Sequence, residues 1–404
     1  MNWEKNPVSL EEEKTSILES KNFNLGLIFG AALIVFINFS SSLTVLPLYV
    51  LEIGESEFMS GLQNSLFFLS AILLRIYFGP MADVRGRKLP LLIGVIAFAT
   101  APIFFYLSSN IWMLIGARAY QAIGLAAFFS SSTSLVADLA PMGKTGTFMS
   151  SYRILMSLAL LIGPAASLSL INTFDYSAWF LCCFLMGIPG IILVLLLKTP
   201  SSIRKDGIGS WERFKNLLKN QRLPLILQGI VLVSICIGAL LSYAIIHVSQ
   251  TTQAPNPAVY FTYYALAGIT ANLFVGRLSD RIGRKAIFWP TIMVLGIGLL
   301  VLFFLPQAGG IYIISGLLAG VGAASAISIG FAWIIDVVEE NMRATALALM
   351  ESTIDISIAL GSFIFGAAGS WLGLGNTFGF TGLTIFIAGF FFLIHSFKRS
   401  PLHK

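Results

Sequence analysis

Charge is what this chain has least of. Only 11% of its 404 residues are Asp, Glu, Lys or Arg, against about 25% in soluble globular proteins. With 56% hydrophobic residues beside it, so little charge cannot coat a water-facing surface, and a polytopic membrane protein is expected. Histidine and cysteine are scarce too. The three His (247, 395, 403) fall at helix ends or in the tail and form no cluster, so neither a membrane enzyme nor a metal site gains support. Cys182, Cys183 and Cys236 all lie in apolar runs, without a disulfide framework or metal-ligand spacing, and read as small core residues. The G-x-x-x-x-G-K-[ST] phosphate loop of a primary pump is missing. The net charge of +6 is spread over short loops with no basic domain, so no nucleic-acid partner is expected. Residues 1–22 are polar and acid-rich, so no cleavable signal peptide is expected.

Long apolar runs are what the chain has in plenty. About 20 residues cross the hydrocarbon core as a helix, and twelve runs qualify: roughly 24–50, 58–80, 89–107, 111–138, 147–171, 177–197, 223–247, 257–278, 286–305, 310–336, 343–369 and 375–397. Of the 25 Lys and Arg, 22 fall in the tails and loops of one face, none in the loops of the other, and three inside spans. That asymmetry places both termini in the cytoplasm. The expected division is a tail (1–23), a six-helix bundle (24–197), a cytoplasmic linker (198–222), a second six-helix bundle (223–397) and a C-terminal tail (398–404). The linker carries Trp211 and Phe214 among basic residues; a short surface helix and a solvated tether both fit it.

The inner loop Gly79 to Lys88, GPMADVRGRK, returns at Gly276 to Lys285 as GRLSDRIGRK. Asp83 and Asp280 are 197 residues apart, as are the Gly pairs 79/276 and 86/283. Asp138 with Lys144 similarly matches Asp336 with Arg343. Repetition at half the chain length implies two halves on one plan. Gly86 and Gly283 allow a turn that a side chain would obstruct. The pattern G-x-x-x-D-x-x-G-R-K between spans two and three, with its second copy between spans eight and nine, resembles the signature loop of the major facilitator superfamily of transporters. The resemblance covers nearly the whole chain. It implies an all-α fold of twelve membrane helices in two pseudo-symmetric bundles, and alternating access by rocking of one bundle on the other.

The resemblance further implies that helices 2 and 11 face each other across the halves. When the inner gate is shut, Asp83 is then expected to dock on the positive N-terminus of helix 11 near Arg343, and Asp280 on that of helix 5 near Thr147. Arg87 and Arg284 belong to the same gate loops. Val84 stands where the family pattern has a basic residue, so the first latch is expected to be the weaker.

Charge within a span is costly, which makes Arg75, Arg118, Arg153, Glu351 and Asp355 the first functional candidates. Asp355 lies near the middle of helix 11, with Glu351 one turn nearer the cytoplasm on the same face. A carboxyl group that meets water on alternate sides can load and release protons, so Asp355 leads the candidates for proton coupling; a hydrogen-bonded structural Asp and a substrate contact are the alternatives. Arg75 precedes Asp83 by eight residues and Glu351 follows Arg343 by eight. Equal depth, roughly 12 Å at 1.5 Å per residue, predicts that Arg75 pairs with Glu351 in the outward-facing state; snorkelling of Arg75 to the interface is the alternative. Arg118 lies in LIGARAYQAIG, similar to the family's R-x-x-Q-G-x-G signature with Ala122 for the first Gly. That resemblance implies a part for Arg118 in proton transfer or in holding an anionic group, with Gln121 as helper. Arg153, the half-repeat mate of Glu351, is placed near Asn272. Gly163-Pro164 partly matches the family's antiporter stretch, with Ala159, Ser167 and Leu168 where Gly is expected.

Asn38 and the Ser/Thr of helices 1, 4 and 10 could line a central cavity or simply pack helices. Tyr260, Tyr263 and Tyr264 suit an outer aromatic belt, or a cavity rim. Asn38, Gln121, Arg153 and Tyr264 are the substrate-binding candidates. Arginine in the first half and acid in the second suit a zwitterionic or anionic amphiphile. The expected function is a proton-coupled exporter of a small amphipathic drug or metabolite, monomeric in the lipid bilayer of the cell membrane. It would use the proton gradient as its energy source and no cofactor. Uptake of a small nutrient by proton symport is the alternative, and a receptor or scaffold without transport is the reading from a different class.

Overall fold

Hydrocarbon offers no partner to a backbone N–H or C=O, so each spanning segment must satisfy its own. In a computed structural model, which describes residues 7–141, 145–198, 223–339 and 342–398, the described chain does so with helices and no strands. Twelve of them are long and apolar enough to cross a membrane. They are α1 (Pro7–Glu52), α2 (Glu57–Val84), α3 (Lys88–Tyr106), α4 (Ile111–Leu139), α5 (Thr145–Thr173) and α6 (Tyr176–Leu196), followed by α7 (Leu223–Thr251), α8 (Val259–Ile282), α9 (Arg284–Phe303), α10 (Tyr312–Val337), α11 (Arg343–Leu372) and α12 (Leu374–Lys398). The face that carries the basic loops is termed inner below.

Side-chain caps start several outer ends. Ser56 accepts from the Met59 amide at α2, Asn110 from Met113 at α4 and Asp175 from Ala178 at α6. Large apolar residues such as Leu73, Ile76, Leu273 and Phe274 are exposed on the flanks, as lipid contact requires. The helices overrun the apolar runs. α2 continues to Val84 and α8 to Ile282, so most of the repeated signature is helix end rather than loop. Interfacial charge does not stop helical hydrogen bonding; the turn comes only at Gly86 (φ 81°) and Gly283 (φ 102°). The polar N-terminal stretch, read as a tail to residue 23, is helical from Pro7 onward. α4 carries a wide π turn at Leu125–Phe129. The proposed linker helix falls in 199–222, outside the described residues.

Within each half the helices pack on one another: α1 on α5 and α6, α3 on α4 and α6, α9 on α10 and α12, α7 on α11. Between the halves the principal seams are α2 with α11 and α5 with α8, supported by α7 against α1 and α2. The facing of helices 2 and 11 expected from the sequence is therefore present.

Candidate functional site

The α2–α11 seam contains an ion pair that the equal-depth estimate assigned otherwise. Arg75 Nη1 lies 2.5 Å from Asp355 Oδ2, and both side chains are largely buried. Glu351 instead faces Arg153 of α5, at 3.8 Å, with both side chains 41% exposed. Arg75 was expected on Glu351 with the outer face open; in this structure, whose outer face is closed, it reaches one turn further along α11. A side chain as long as Arg spans a helical turn, so equal distance from the loops does not fix the partner. Arg153 was expected near Asn272. It stands over the Phe331 ring of α10, 3.6 Å from its centroid, and Asn272 is exposed. Both acids of α11 are thus held by arginines of the opposite half.

Arg118 differs from these two arginines. It is 0% exposed and, among the described residues, its guanidinium meets only neutral groups. It donates to Gln121 Oε1 and to Asn64 Oδ1, the latter at 2.6 Å. Its Cζ stands 4.1 Å from the centroid of the Phe67 ring. Gln121 Nε2 donates to Ser42 Oγ (3.1 Å) and Asn38 Oδ1 (3.5 Å). From Asn64 the chain of bonds crosses to the other half: Asn64 Nδ2 donates to Ser242 Oγ (3.0 Å), Ser242 to Ser362 Oγ (2.9 Å), and Ser362 to the Gly238 carbonyl (3.1 Å). One residue along, Ser65 donates to the Ala359 carbonyl at 2.8 Å. Asn38, Gln121 and Arg118 are thus brought together, and Gln63, Asn64, Ser242 and Ser362 join them. The signal for the first two was visible in GLQNSLFF, where paired carboxamides interrupt an apolar run; weighting formal charge alone passed over them.

Other candidates lie elsewhere. Tyr264 and Tyr260 are buried in the C-terminal half instead of forming an outer belt, with Tyr260 Oη 3.3 Å from Ser315 Oγ. Ser40 packs α1 on α5, donating to the Ala159 carbonyl at 2.9 Å, and a side chain at Gly163 would meet Ser40 and Ser41. Among the described residues no three His, Cys, Asp or Glu gather in metal-binding range.

On the inner face the two signature copies close on their own halves. Arg87 lies 3.5 Å from Asp138. At the repeat-related positions Arg284 lies 2.9 Å from Asp336, and also 2.5 Å from Asp280. Asp280 is paired here with Arg284, four residues away; the side chains at the start of α5, where the shut gate would place it, are outside those described. The Asp83 side chain is outside those described, and Arg343 opens α11.

On the outer face the halves are sewn together. Asn256, in the α7–α8 connection, donates to the Ala165 carbonyl (2.8 Å) and Ser169 Oγ (2.9 Å) of α5. Asn172 donates to the Pro255 carbonyl (3.1 Å), Thr262 to that of Leu161 (2.9 Å), and Gln250 to Glu57 (3.0 Å). A cavity of about 570 Å³ opens beside this last contact, between His247, Phe303, Gln307 and Asn376.

The comparisons agree with this architecture. The crystal structure of the nucleoside transporter NupG (D323A mutant) superposes with a TM-score of 0.80 over 92% of this chain and 99% of that one, at 13% identity. A POT family transporter in complex with 5-aminolevulinic acid gives 0.77 over 93% and 96%, at 14% identity. The Multidrug resistance protein MdtG of Proteus mirabilis (strain HI4320) is 24% identical over 300 residues, 70% of this chain and 73% of that protein. The Multi-drug resistance efflux pump PmrA homolog of Lactococcus lactis subsp. lactis (strain IL1403) is 24% identical over 283 residues, 67% and 68% of the two chains. The model of the Major Facilitator Superfamily matches residues 28–260 and again 258–404. A match over both halves is what a duplicated transporter fold demands, and the chain therefore belongs to the Major Facilitator Superfamily, as a transporter of small molecules and not an enzyme.

Proposed function

We propose that the protein exports a small amphipathic drug or metabolite by alternating access, driven by protons moving the other way. The observation that carries this reading is the capture of both α11 acids by arginines of the opposite half. Protonating a carboxylate abolishes its attraction for an arginine, so proton binding loosens the seam between the halves. Removing one partner of a buried pair costs about 3–5 kcal/mol, which applies to Arg75–Asp355. The more exposed Arg153–Glu351 pair contributes about 1 kcal/mol at most. Swinging a two-state equilibrium from 1:99 to 99:1 takes about 5.5 kcal/mol, so these pairs have the right size for a switch. Export is supported by the printed names of the multidrug relatives. The one-sided distribution of basic residues supports a cell-membrane protein with both termini cytoplasmic. A monomer in lipid, with the proton gradient as its only energy source, completes the reading.

The test is reconstitution in liposomes with an imposed pH gradient and a panel of amphipathic fluorescent dyes. A dye should accumulate against its gradient in wild type and stop doing so with a protonophore. The double variant Arg75→Gln/Asp355→Asn removes both charges without leaving either unpaired. It should lose gradient-driven accumulation while keeping dye-for-dye exchange. Accumulation indifferent to the protonophore in wild type would sink the proposal. The sidedness of active vesicles separates export from uptake.

A further inference from the structure

We infer that the outer-face cavity beside Glu57 is a binding site, separate from the central transport path, for a small organic cation: a primary ammonium group on an aromatic or apolar body. An occupant of this site holds the outer face shut. Charge on that face has one sign. The outer loops contain no Lys or Arg, while Glu52, Glu55, Glu57 and Asp175 stand in or beside them. Glu57 opens α2, in the first half, and lines the cavity of about 570 Å³. The rest of the wall, with His247, Gln250, Thr251, Phe303 and Asn376, comes from the second half. Small-molecule sites run from about 300 to 1,000 Å³, so a compact organic molecule has room here. With His247 neutral, Glu57 carries the only formal charge on the wall. A cleft lined by charge of one sign, between low-dielectric walls, concentrates counter-ions.

The hydrogen bonds of the wall use up donors and leave acceptors. His247 Nε2 lies 2.9 Å from the Leu302 carbonyl, which can only accept, so the neutral ring carries its proton there and Nδ1 is an acceptor. Thr251 gives its one hydroxyl hydrogen to the His247 carbonyl. Gln250 Nε2 donates to Glu57 Oε1 (3.0 Å), and Asn376 Nδ2 to the Leu372 carbonyl (2.8 Å). Each carboxamide keeps one further N–H. Among the described residues, however, nothing donates to Glu57 Oε2, Gln250 Oε1, Asn376 Oδ1 or His247 Nδ1. An ammonium group brings three donors and no acceptor, which complements such a wall, and its bond to Glu57 is charge-assisted. Phe303 offers a ring to the cation or to its apolar body. Among the described residues no three His, Cys, Asp or Glu gather in metal-binding range, so one carboxylate in so large a space suits an organic monocation better than a divalent metal. Gly375 keeps the space open, since a Cβ there would come within 3.3 Å of His247 Cε1. Glu57 and the rest of the wall belong to opposite halves, so the site is whole only while the outer face is closed. Binding therefore opposes opening.

Purified full-length protein is titrated calorimetrically with three matched probes: benzylammonium, neutral benzyl alcohol and anionic benzoate. Benzylammonium should bind about tenfold or more tightly than either other probe, a difference of about 1.4 kcal/mol. Glu57→Gln should bring the three within about twofold of one another. Glu55→Gln, two residues away and outside the cavity wall, should retain the preference. Equal binding of benzylammonium and benzyl alcohol by wild type overturns the inference without any variant having to fold. So does a preference that survives Glu57→Gln, which would put the cation on other acids, or one lost equally in Glu55→Gln, which would reduce the site to the diffuse charge of the face. Dye-for-dye exchange needs no pH gradient, so a weak base leaves it undisturbed. Saturating benzylammonium should slow exchange about tenfold or more in wild type, and in Glu57→Gln should leave it within about twofold of its own uninhibited rate. Unslowed exchange in wild type, or slowing that persists in Glu57→Gln, overturns the inference as well. The titration needs no transport, so cation-selective binding without gradient-driven dye accumulation would sink the proposed function and leave this site standing.

Discussion

Asn64 belongs to both halves at once. Its oxygen accepts from Arg118 and its nitrogen donates to Ser242, so the state of the arginine and the closure of the seam share one side chain. Asn64→Leu removes both bonds, together with those to Gln63 and the Leu43 carbonyl, at similar volume and should lower transport about tenfold or more. Residues in one hydrogen-bond network show interaction energies of about 0.5–3 kcal/mol in double-mutant cycles, so Ser242→Ala should add little on top of Asn64→Leu. A transport cycle in which the two effects simply sum would mean the bonds are not linked. At this scale the sequence was legible for the charges and not for their partners. Arg75, Arg153, Glu351 and Asp355 stand out because charge in a span is rare. Which acid meets which arginine depends on the rotation of α11 between α2 and α5, and no single-chain pattern encodes that. Asn64 and Gln63 were missed because a carboxamide carries no formal charge, though burial makes it nearly as demanding of a partner.

At the level of elements, the signature read as a loop is a helix end with one turning residue. Its two glycines therefore differ. Gly276 lies inside α8 with open space where a Cβ would go, whereas Gly283 ends the helix at φ 102°, ψ 143°. Gly276→Ala should be neutral or stabilising by up to about 1 kcal/mol. Gly283→Ala and Gly283→Asn should both destabilise by about 1–3 kcal/mol, because that backbone region is essentially reserved for glycine. Thermal unfolding in detergent checks the contrast; equal midpoints for Gly276→Ala and Gly283→Ala would contradict it. The recurrence of the pattern and the spacing of apolar runs suffice for twelve helices in two related halves. They do not locate the end of α2 or α8, since Arg and Asp at an interface are compatible with helix and loop alike. The π turn in α4 leaves no mark in the pattern either: LAAFF reads as ordinary apolar helix.

Across the whole molecule the half-repeat is broken in a way that bears on movement. The α2–α11 seam is bridged by charge, whereas Asn272, the mate of Arg75, is exposed and the α5–α8 seam is held by neutral bonds from Thr262 and the Asn256 hook. Among the described residues protonation therefore acts on the acids of α11, while the α5–α8 seam must unhook for the outer face to open. If so, pinning the hook should arrest the cycle with the acids untouched. Ser169→Cys and Asn256→Cys, in a chain whose native Cys182, Cys183 and Cys236 are replaced by Ser or Ala, put two thiols at neighbouring positions whose side chains are now hydrogen-bonded at 2.9 Å. A short bis-methanethiosulfonate linker joins such a pair and is released by reductant. Cross-linking should cut dye accumulation about tenfold or more at near-complete reaction, and dithiothreitol should restore it; each single Cys should be indifferent to both treatments. Dye-for-dye exchange should fall with accumulation, since either mode requires the outer face to open. Full exchange in the cross-linked protein would show that the α5–α8 seam stays shut throughout transport, and alternating access would then have to be carried by the charged seam alone.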